Sequence, residues 1–434
     1  MMMNILSLRL LAAAASLSLL AGCDSSSSKK ETVDTRAADA SAALPNGLKA
    51  GEWQGWARVQ DRAVHFTFDV AVENGKPVVY LVNKGLNGQE RLRCDDIKAA
   101  GDSVTIRLHA FDAALVMRPD GVDKLTGNWV KYDAATPYRV PVVALRQAAP
   151  KVQATAATPD FNGTWRVTFK GDKGETYPAV GIFKQEGTVL VGTFLTSTGD
   201  YRYLSGVVLP EGMGISTFDG GHGFLFQAKK LANGTLKGDF YSGKSGHETW
   251  TAVLDPKATL PDADALTNLK KGESRLDFKF PSVFEGGAIS PSDPKYRGKV
   301  VVLQILGSWC PNCMDETNFL APWYEKNKQR GVEIIGLGYE RSADYKVASA
   351  RLRAMRERFN VGYDLAVAGV SNKDSVAKSL PQLAKFLAFP TTIFLDKKGN
   401  VRKIHTGFAG PGTGKYYQEE IAGFEQTVDK LLKE

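Results

Sequence analysis

Two cysteines lie three residues apart, directly after a strongly apolar run. Residues 300–306 read Val-Val-Val-Leu-Gln-Ile-Leu, the pattern of a strand that is buried on both faces of a parallel sheet. The segment Trp309-Cys310-Pro311-Asn312-Cys313 follows almost at once. Proline suits the first position of a helix, because its missing N–H is not needed there. The pattern therefore predicts a strand that leads into a helix, with Cys310 at the helix N-terminus.

This position has a chemical consequence for the two thiols. Unpaired backbone N–H groups and the helix dipole stabilise a thiolate at a helix N-terminus. Nearly one turn later, the helix brings Cys313 back within bonding reach of the first sulfur. We expect Cys310 to be the exposed attacking thiolate and Cys313 the buried thiol that resolves a mixed disulfide. A purely structural disulfide is the alternative, but so short a ring constrains little chain entropy.

Strand and helix patterns alternate around this motif. Strands are predicted near residues 332–336, 363–367, 391–395 and 401–405, and helices over residues 343–359 and at the C-terminus. The C-terminal helix is amphipathic, with Ile421, Phe424, Val428 and Leu431 on one face. Lys397-Lys398-Gly399-Asn400 predicts a hairpin between the last two strands. This order of elements is that of thioredoxin.

With the motif and this order together, residues 272–434 resemble the TlpA/ResA-like branch of membrane-anchored thiol:disulfide oxidoreductases. The resemblance rests on the Trp-Cys-x-x-Cys motif and on Phe389-Pro390-Thr391, which opens a later strand. It implies that Pro390 is cis and packs against the redox-active disulfide of Cys310 and Cys313. It also implies substrate contacts at Trp309, Pro311, Phe389 and Thr391. A proline that merely starts a strand is the alternative reading of Pro390.

Glu316 lies three residues after Cys313 and on the same helix face. The resemblance implies a carboxylate at this position that manages the proton of the buried thiol. Acidic residues are also favoured in the first turns of any helix, so a plain helix preference remains an alternative for Asp315 and Glu316. Gln304 stands where thioredoxins have a buried Asp, and Gln accepts no proton near neutral pH. Glu316 is therefore the better candidate for the proton acceptor.

The N-terminal residues predict export and a lipid anchor. Residues 1–22 contain an uncharged Leu- and Ala-rich run, too short for a spanning helix, and Leu20-Ala21-Gly22 precede Cys23. These four residues resemble a bacterial lipobox, which implies cleavage before Cys23 and lipidation of its sulfur. A plain secretion signal before an incidental cysteine is the alternative. Residues 23–46 predict a flexible tether, and the protein is expected in the cell envelope, facing the periplasm, with exposure on the outer surface left open.

Residues 47–148 and 158–256 look like two copies of one β-rich unit. Trp53 corresponds to Trp165, and the segment 125–129 corresponds to the segment 236–240 at nearly the same offset, which favours duplication. Short strand-like runs with turns such as Asn74-Gly75 predict a small barrel or sandwich, with a lipocalin-like Gly-x-Trp opening. The predicted fold class is multidomain: two tandem all-β repeats followed by an α/β thioredoxin-like domain over residues 272–434.

Composition and the remaining motifs exclude several classes of function. The chain has 55 Lys and Arg and 47 Asp and Glu, interspersed along the sequence, so we predict no nucleic-acid binding. Asp219, His222, His247 and Glu248 lack the spacing of a metal site, and neither a metal nor a cofactor is predicted. Cys94 is expected to be a buried free thiol, although its basic neighbours leave a reactive thiolate open.

The predicted function is thiol:disulfide exchange with disulfide-bearing exported proteins, followed by re-reduction by a membrane electron donor. The resemblance implies reduction, with cytochrome c maturation or repair of exported proteins as settings. A disulfide-forming oxidant stays open, since potentials span about 150 mV among proteins with such motifs. A ligand- or partner-binding lipoprotein, with the β repeats in the main role, also stays open. A peroxidase related to peroxiredoxins would need a different residue at Gly307 and a proline at Leu303.

Overall fold

The first β repeat is a single antiparallel sheet that stays open. The computed structural model describes residues 44–108, 111–132, 137–147, 153–155 and 157–434, so the predicted signal, Cys23 and the tether up to residue 43 lie outside it. The strands are β1 Gly51–Val59, β2 Arg62–Glu73, β3 Lys76–Gly85, β4 Gly88–Cys94, β5 Ile97–Ala100, β6 Ser103–Leu108, β7 Ala113–Pro119, β8 Lys124–Lys131 and β9 Tyr138–Leu145. Their order is β4-β3-β2-β1-β9-β8-β7-β6-β5. Among the described residues, β4 and β5 do not pair, so these two strands are the edges.

The hairpin predicted at Asn74-Gly75 is confirmed. Glu73 pairs with Lys76 across a two-residue turn, and both turn residues have positive φ, 52° at Asn74 and 75° at Gly75. Asn-Gly suits such a turn because both residues adopt this left-handed region readily. The strand that precedes it alternates buried and half-buried side chains over most of its length, so one face points into the core.

The second β repeat closes into a barrel. Its strands are β10 Gly163–Gly171, β11 Thr176–Glu186, β12 Val189–Thr196, β13 Gly199–Asp200, β14 Leu204–Leu209, β15 Gly212–Phe218, β16 Gly223–Lys230, β17 Leu236–Ser242 and β18 Gly246–Leu254. The order is β11-β10-β18-β17-β16-β15-β14-β12-β13, and an additional β11–β12 pairing joins the two ends. Eight strands thus form the closed wall, with the short β13 attached to β12. Aromatic rings fill the interior, among them Phe169, Phe194, Phe226 and Trp250.

Both repeats share local details at the positions that correspond in sequence. Trp53 Nε1 donates to the carbonyl of Lys49 at 2.8 Å, and Trp165 Nε1 donates to the carbonyl of Phe161 at 3.0 Å, four residues back in each case. Gly127 in β8 has its equivalent in Gly238 of β17. A Cβ atom at either glycine would lie within 2.2 Å of a backbone oxygen of the neighbouring strand, so no other residue fits there.

The open sheet packs against the barrel through Phe218, the last residue of β15. The Phe218 ring stacks on Phe66 with centroids 4.4 Å apart and meets Trp129 edge-on at 5.0 Å. Trp129 Nε1 also donates to the carbonyl of Gly220 at 2.7 Å. A ring from the second repeat therefore belongs to the hydrophobic core of the first.

The C-terminal domain has a five-stranded sheet with helices on both faces. After the short strands β19 Asn268–Leu269, β20 Phe280–Pro281 and β21 Ala288–Ile289 come β22 Val300–Leu306, α1 Pro311–Asn327, β23 Val332–Glu340, α2 Tyr345–Phe359, β24 Asp364–Val370, α3 Lys373–Ser379, β25 Leu383–Lys385, β26 Thr391–Leu395, β27 Val401–Thr406 and α4 Lys415–Lys433. The sheet order is β24-β23-β22-β26-β27, with β22, β23 and β24 parallel and the last two strands antiparallel. The predicted fold class, all-β regions followed by a thioredoxin-like domain, is confirmed.

The elements of this domain follow the predicted order, with small shifts at their ends. Helix α2 begins at Tyr345 rather than at residue 343, because the Asp344 carboxylate caps it by accepting from the backbone N–H groups of Lys346 and Val347. It ends at Phe359, and the following residue, Asn360, caps it in the left-handed conformation. Within the described part of the chain, residues of the repeats and of the redox domain form one compact unit.

Candidate active site

Cys310 caps the N-terminus of helix α1, as the sequence pattern predicts. All seven residues of β22 are buried, and the chain then turns through Gly307, where the backbone N–H of Cys310 donates to the Gly307 carbonyl at 3.1 Å. The Cys310 sulfur accepts from the backbone N–H of Cys313 at 3.3 Å, and Pro311 occupies the first helical position. A negative charge on this sulfur would therefore face the positive end of the helix. Both thiols are free in the structure.

The expectation that Cys310 is exposed is wrong for this structure. Cys310 is only 5 % exposed, and Cys313 is fully buried. The Cys310 thiol donates to the Phe389 carbonyl at 3.7 Å. Two residues later, Asn312 donates to Asp200 of the second repeat, to its carbonyl at 3.3 Å and its carboxylate at 3.1 Å. The sequence pattern of the redox domain could not show this contact, since Asp200 lies more than a hundred positions earlier.

The close approach of the second repeat depends on Gly199. Its φ is +135°, a value that favours glycine, and a Cβ atom there would lie 2.9 Å from the Asn312 side chain. Beside it, the Asp200 carboxylate also accepts from the backbone N–H of Gly410 at 2.7 Å. The short strand β13 therefore contacts the first turn of α1 and the loop before α4.

The predicted substrate-contact residues surround Cys310. The Phe389–Pro390 peptide bond is cis, as the resemblance implies. The Trp309 ring meets the Phe389 ring edge-on at 5.5 Å, and Trp309 Nε1 donates to the Tyr339 carbonyl at 2.9 Å. Trp309, Pro311 and Phe389 are half-buried, whereas Pro390 and Thr391 are buried. The Thr391 hydroxyl donates to the Ala388 carbonyl at 2.7 Å, so its side chain faces inward.

Glu316 is buried in the domain core, and each of its carboxylate oxygens accepts a hydrogen bond. It accepts hydrogen bonds from the Thr392 hydroxyl and from the Gln304 amide, the latter at 2.8 Å. Gln304 in turn accepts from the Tyr363 hydroxyl at 3.0 Å. Burial raises the pKa of Glu316 to about 7, although the hydrogen bonds from Thr392 and Gln304 oppose this shift. The Glu316 carboxyl can therefore hold or release a proton close to neutral pH.

The two thiols and Glu316 are electrostatically linked. Burial raises the pKa of the Cys313 thiol well above its ordinary value, and its hydrogen bond with Cys310 and the charge of Glu316 add to this effect. Cys313 therefore remains protonated at neutral pH unless a neighbouring group takes its proton.

Sequence reasoning missed a buried ionic network beside the motif. Arg202, from the turn between β13 and β14, binds the Asp315 carboxylate with two hydrogen bonds of 2.7 Å. The same guanidinium binds Glu90 of β4 at 2.5 Å. Burial and the nearby Asp315 raise the pKa of Asp200 to about 7. One cation thus joins both β repeats to the active-site helix, and no local pattern around Asp315 or Arg202 indicates it, because the partners are more than a hundred residues apart.

The remaining candidate residues lie in ordinary environments. Cys94 is buried and free, as predicted, and burial raises its pKa to about 12. His222 pairs with Asp219 at 3.2 Å, while His247 lies between Asp172 and Asp239. No group of three potential metal ligands occurs among the described residues. In the same part of the chain, none of the helices has the length and apolar character needed to cross a membrane.

Part of this chain is similar to known thiol-disulfide oxidoreductases. The Redoxin family model matches residues 270–419. The thiol-disulfide oxidoreductase ResA of Geobacillus kaustophilus is 31% identical over 152 residues, which cover 35% of this chain and 68% of that protein. The thiol:disulfide interchange protein DsbE of Escherichia coli K12 is 24% identical over 182 residues, which cover 39% of this chain and 83% of that protein. A secreted thiol-disulfide isomerase of Corynebacterium glutamicum has 18% identity, covers 42% of this chain and 97% of its own, and gives a TM-score of 0.30.

Proposed function

The chain belongs to the ResA-like thiol-disulfide oxidoreductases, and from this premise we propose that it reduces disulfides of exported proteins through Cys310 and Cys313. The observation that carries the proposal is the position of the Cys310 sulfur at the start of α1, where it accepts the Cys313 backbone N–H. This N–H and the helix dipole favour the thiolate, which is the form that attacks a disulfide.

The proposed reaction has two exchange steps. The Cys310 thiolate attacks one sulfur of the substrate disulfide, so the S–S bond breaks, a mixed disulfide forms and one substrate thiolate leaves and takes up a proton. The Cys313 thiolate then attacks the Cys310 sulfur and releases the second substrate thiolate. Two electrons have passed to the substrate, and Cys310 and Cys313 are left as a disulfide. A membrane electron donor returns the two electrons.

Glu316 is the proposed proton acceptor for Cys313. The support is its position one helical turn after Cys313, its burial, and a pKa raised to about 7 by that burial. Taking up the Cys313 proton turns the buried thiol into the thiolate that the second step needs.

The proposed substrate surface is the rim formed by Trp309, Pro311 and Phe389, with the backbone at Pro390 and Thr391 pairing with the substrate chain. Asn312, two residues after Cys310, is hydrogen-bonded to Asp200, so the second repeat lies close to this rim. Lipidation at Cys23 and a tether would hold the domain near a periplasmic membrane face. Cytochrome c maturation is one setting that the resemblance implies.

Trapping a mixed disulfide tests the roles of the two cysteines. The full chain with Cys313→Ser should accumulate a mixed disulfide with a disulfide-bearing substrate, because the second step is blocked. The Cys310→Ser variant should accumulate none, since Cys313 is fully buried. Equal trapping by both variants would contradict the assigned order of attack.

The equilibrium potential of the Cys310–Cys313 couple tests the direction. A value near −270 mV, about that of thioredoxin, is expected for a reductase supplied by a membrane donor. A value of about −120 mV would identify a disulfide-forming oxidant and overturn the proposed direction, while leaving the roles of the residues intact. Metabolic labelling with a radioactive fatty acid, compared with a Cys23→Ala variant, tests the anchor.

A further inference from the structure

A large cavity lies between the first repeat, the second repeat and the redox domain. Its volume is about 860 Å³. Strand β4 contributes Arg91 and Arg93, the turn after β15 contributes His222, helix α2 contributes Arg358, and the active-site motif contributes Trp309. The cavity therefore adjoins the redox motif but belongs to none of the three parts alone.

Basic side chains outnumber acidic ones in its wall. Six basic residues face four carboxylates there: the basic residues are Arg91, Arg93, Lys131, Arg341, Arg351 and Arg358, and the acidic residues are Asp95, Asp112, Glu340 and Glu357. Ion pairs engage residues of both signs, since Asp112 binds Arg351 and Arg107, Asp95 binds Arg93, and Arg91 binds Asp69 outside the cavity. Glu340 accepts the backbone N–H and the hydroxyl of Ser308, both at 2.8 Å.

Three of the cations contact aromatic faces. The Arg358 guanidinium lies 5.4 Å from the Phe359 ring centroid, Arg341 lies 5.4 Å from Trp309, and the Lys131 ammonium lies 5.7 Å from Trp129. Within the part of the chain that the structure describes, no carboxylate lies at ion-pair distance from Arg358. Burial lowers the pKa of Arg358, so this cation would gain from a bound anion.

The location of Arg341 connects this charge to the redox chemistry. Its guanidinium rests on the Trp309 ring, the ring that contacts Phe389 next to Cys310. Arg341 and Val347 at the cavity wall are exposed, so the space is open to solvent. An anionic group held here would lie beside the loop that carries Cys310.

We propose that this cavity binds an acidic segment of the substrate polypeptide, so that substrates with Asp or Glu residues close to their disulfide are preferred. This inference rests on the proposed function and deepens it by naming the substrate class. The carboxylates of the segment contact Arg358 and Arg341, while the neighbouring disulfide reaches the rim at Trp309. Planar guanidinium groups suit carboxylates because they donate two parallel hydrogen bonds.

Binding to a redox-inactive protein tests the inference apart from the chemistry. The probe is a fluorescein-labelled peptide with one internal disulfide and two Glu residues before its first cysteine, and the control probe has Gln in place of both Glu. The full chain with Cys310→Ser and Cys313→Ser should bind the Glu peptide at least about tenfold more tightly. Added salt should reduce this preference, since the attraction is between charges.

Variants on one helix locate the site. Arg358→Gln should remove most of the preference for the Glu peptide, and Arg358→Lys should restore part of it because the charge returns. Lys346→Gln is the matched control, since Lys346 is an exposed cation of α2 outside the cavity wall, and it should leave the preference unchanged. Equal binding of both peptides, or loss of the preference only in Lys346→Gln, would overturn the inference.

Two further outcomes separate this inference from the proposed function and from a small ligand. If the Glu peptide binds preferentially but the wild-type protein fails to reduce either peptide, the cavity assignment stands and the proposed reductase function fails. If citrate binds and the Glu peptide binds no better than its Gln control, the cavity takes a small carboxylate, and the acidic-segment inference is overturned.

Discussion

The two β repeats share a strand pattern but differ in closure. The second repeat pairs β11 with β12 and so forms a closed barrel with its own aromatic core. The first ends in two unpaired edges, β4 and β5, and completes its core with Phe218 from the barrel. Two regions with similar sequence signals therefore form one self-contained unit and one that depends on its neighbour. Closure requires one extra strand pairing, that of β11 with β12, and the sequence similarity between the repeats does not predict it.

The two repeats also serve the redox domain in different ways. The barrel contributes Leu195, Thr196 and Gly199 to a cavity of about 310 Å³ that Glu316 also lines. The open sheet contributes Arg91 and Arg93 to the cationic cavity. The closed repeat thus shares a cavity with the buried acid, whereas the open repeat adds charge to the cavity that Trp309 lines.

The largest expected effect comes from Arg202, the residue that joins both repeats to α1. Arg202→Met should lower the free energy of unfolding by about 3–5 kcal/mol, because Glu90 and Asp315 would stay buried without their cation. It should also speed alkylation of Cys310, because the first turns of α1 would be held less firmly against the second repeat. Urea denaturation followed by tryptophan fluorescence measures the first effect, and timed alkylation measures the second.

An exposed pair provides the control for Arg202. Arg166→Met breaks the ion pair with Asp255, where the arginine side chain is 64% exposed, and should cost no more than about 1 kcal/mol. If the free energy of unfolding falls no further in Arg202→Met than in Arg166→Met, the network does not hold the two repeats and α1 together.

The dependence of the open sheet on the barrel is tested by Phe218→Ala. Removing this ring should lower the free energy of unfolding by about 3–4 kcal/mol, because it leaves a cavity against Phe66 and Trp129. Hydrogen exchange should rise mainly in β2 and β8 of the first repeat, which carry Phe66 and Trp129. The matched variant Phe226→Ala, inside the barrel, should raise exchange mainly in β15, β16 and β17. If both variants affect the same strands, the two repeats do not differ in self-sufficiency.

The pH dependence of stability tests whether Glu316 is shielded from water in the core of the redox domain. Its folded-state pKa of about 7 lies above the ordinary value of 4.5, so the protein binds more protons folded than unfolded between these pH values. The stabilisation that Glu316 contributes is complete below about pH 4.5 and is lost as the pH rises through 7. This loss lowers the free energy of unfolding by about 3 kcal/mol. The wild type should therefore lose stability between pH 5 and 8 relative to Glu316→Gln. Parallel pH profiles of the two proteins would show that Glu316 is not buried from water in solution.

Much of the redox domain was predictable because its signals are local. The apolar run of β22, Pro311 after Cys310 and the spacing of the two cysteines each act over a few residues, and they placed the motif at a helix start. The hairpin at Asn74-Gly75 was predictable for the same reason, since two residues decide the turn.

The contact between the second repeat and α1 was not predicted because it joins distant chain segments. Asp200 and Arg202 bind Asn312 and Asp315 across more than a hundred residues, a separation that leaves no local sequence pattern. The cationic cavity could not be predicted from the sequence for the same reason. Its wall combines β4, a turn of the second repeat and α2, so its charge arises only in the assembled chain.

The smallest expected effect concerns Cys94, the last residue of β4 at the edge of the open sheet. Its side chain is buried, its thiol donates to the Leu92 carbonyl at 3.7 Å, and burial raises its pKa to about 12. In the Cys310→Ser, Cys313→Ser protein, iodoacetamide at pH 8 should leave the peptide that contains Cys94 unlabelled, as judged by mass spectrometry, while the urea-denatured protein should label fully. Because β4 is an unpaired edge, rapid labelling of the native protein would mean that this edge opens, and that the open repeat is held less firmly than the barrel.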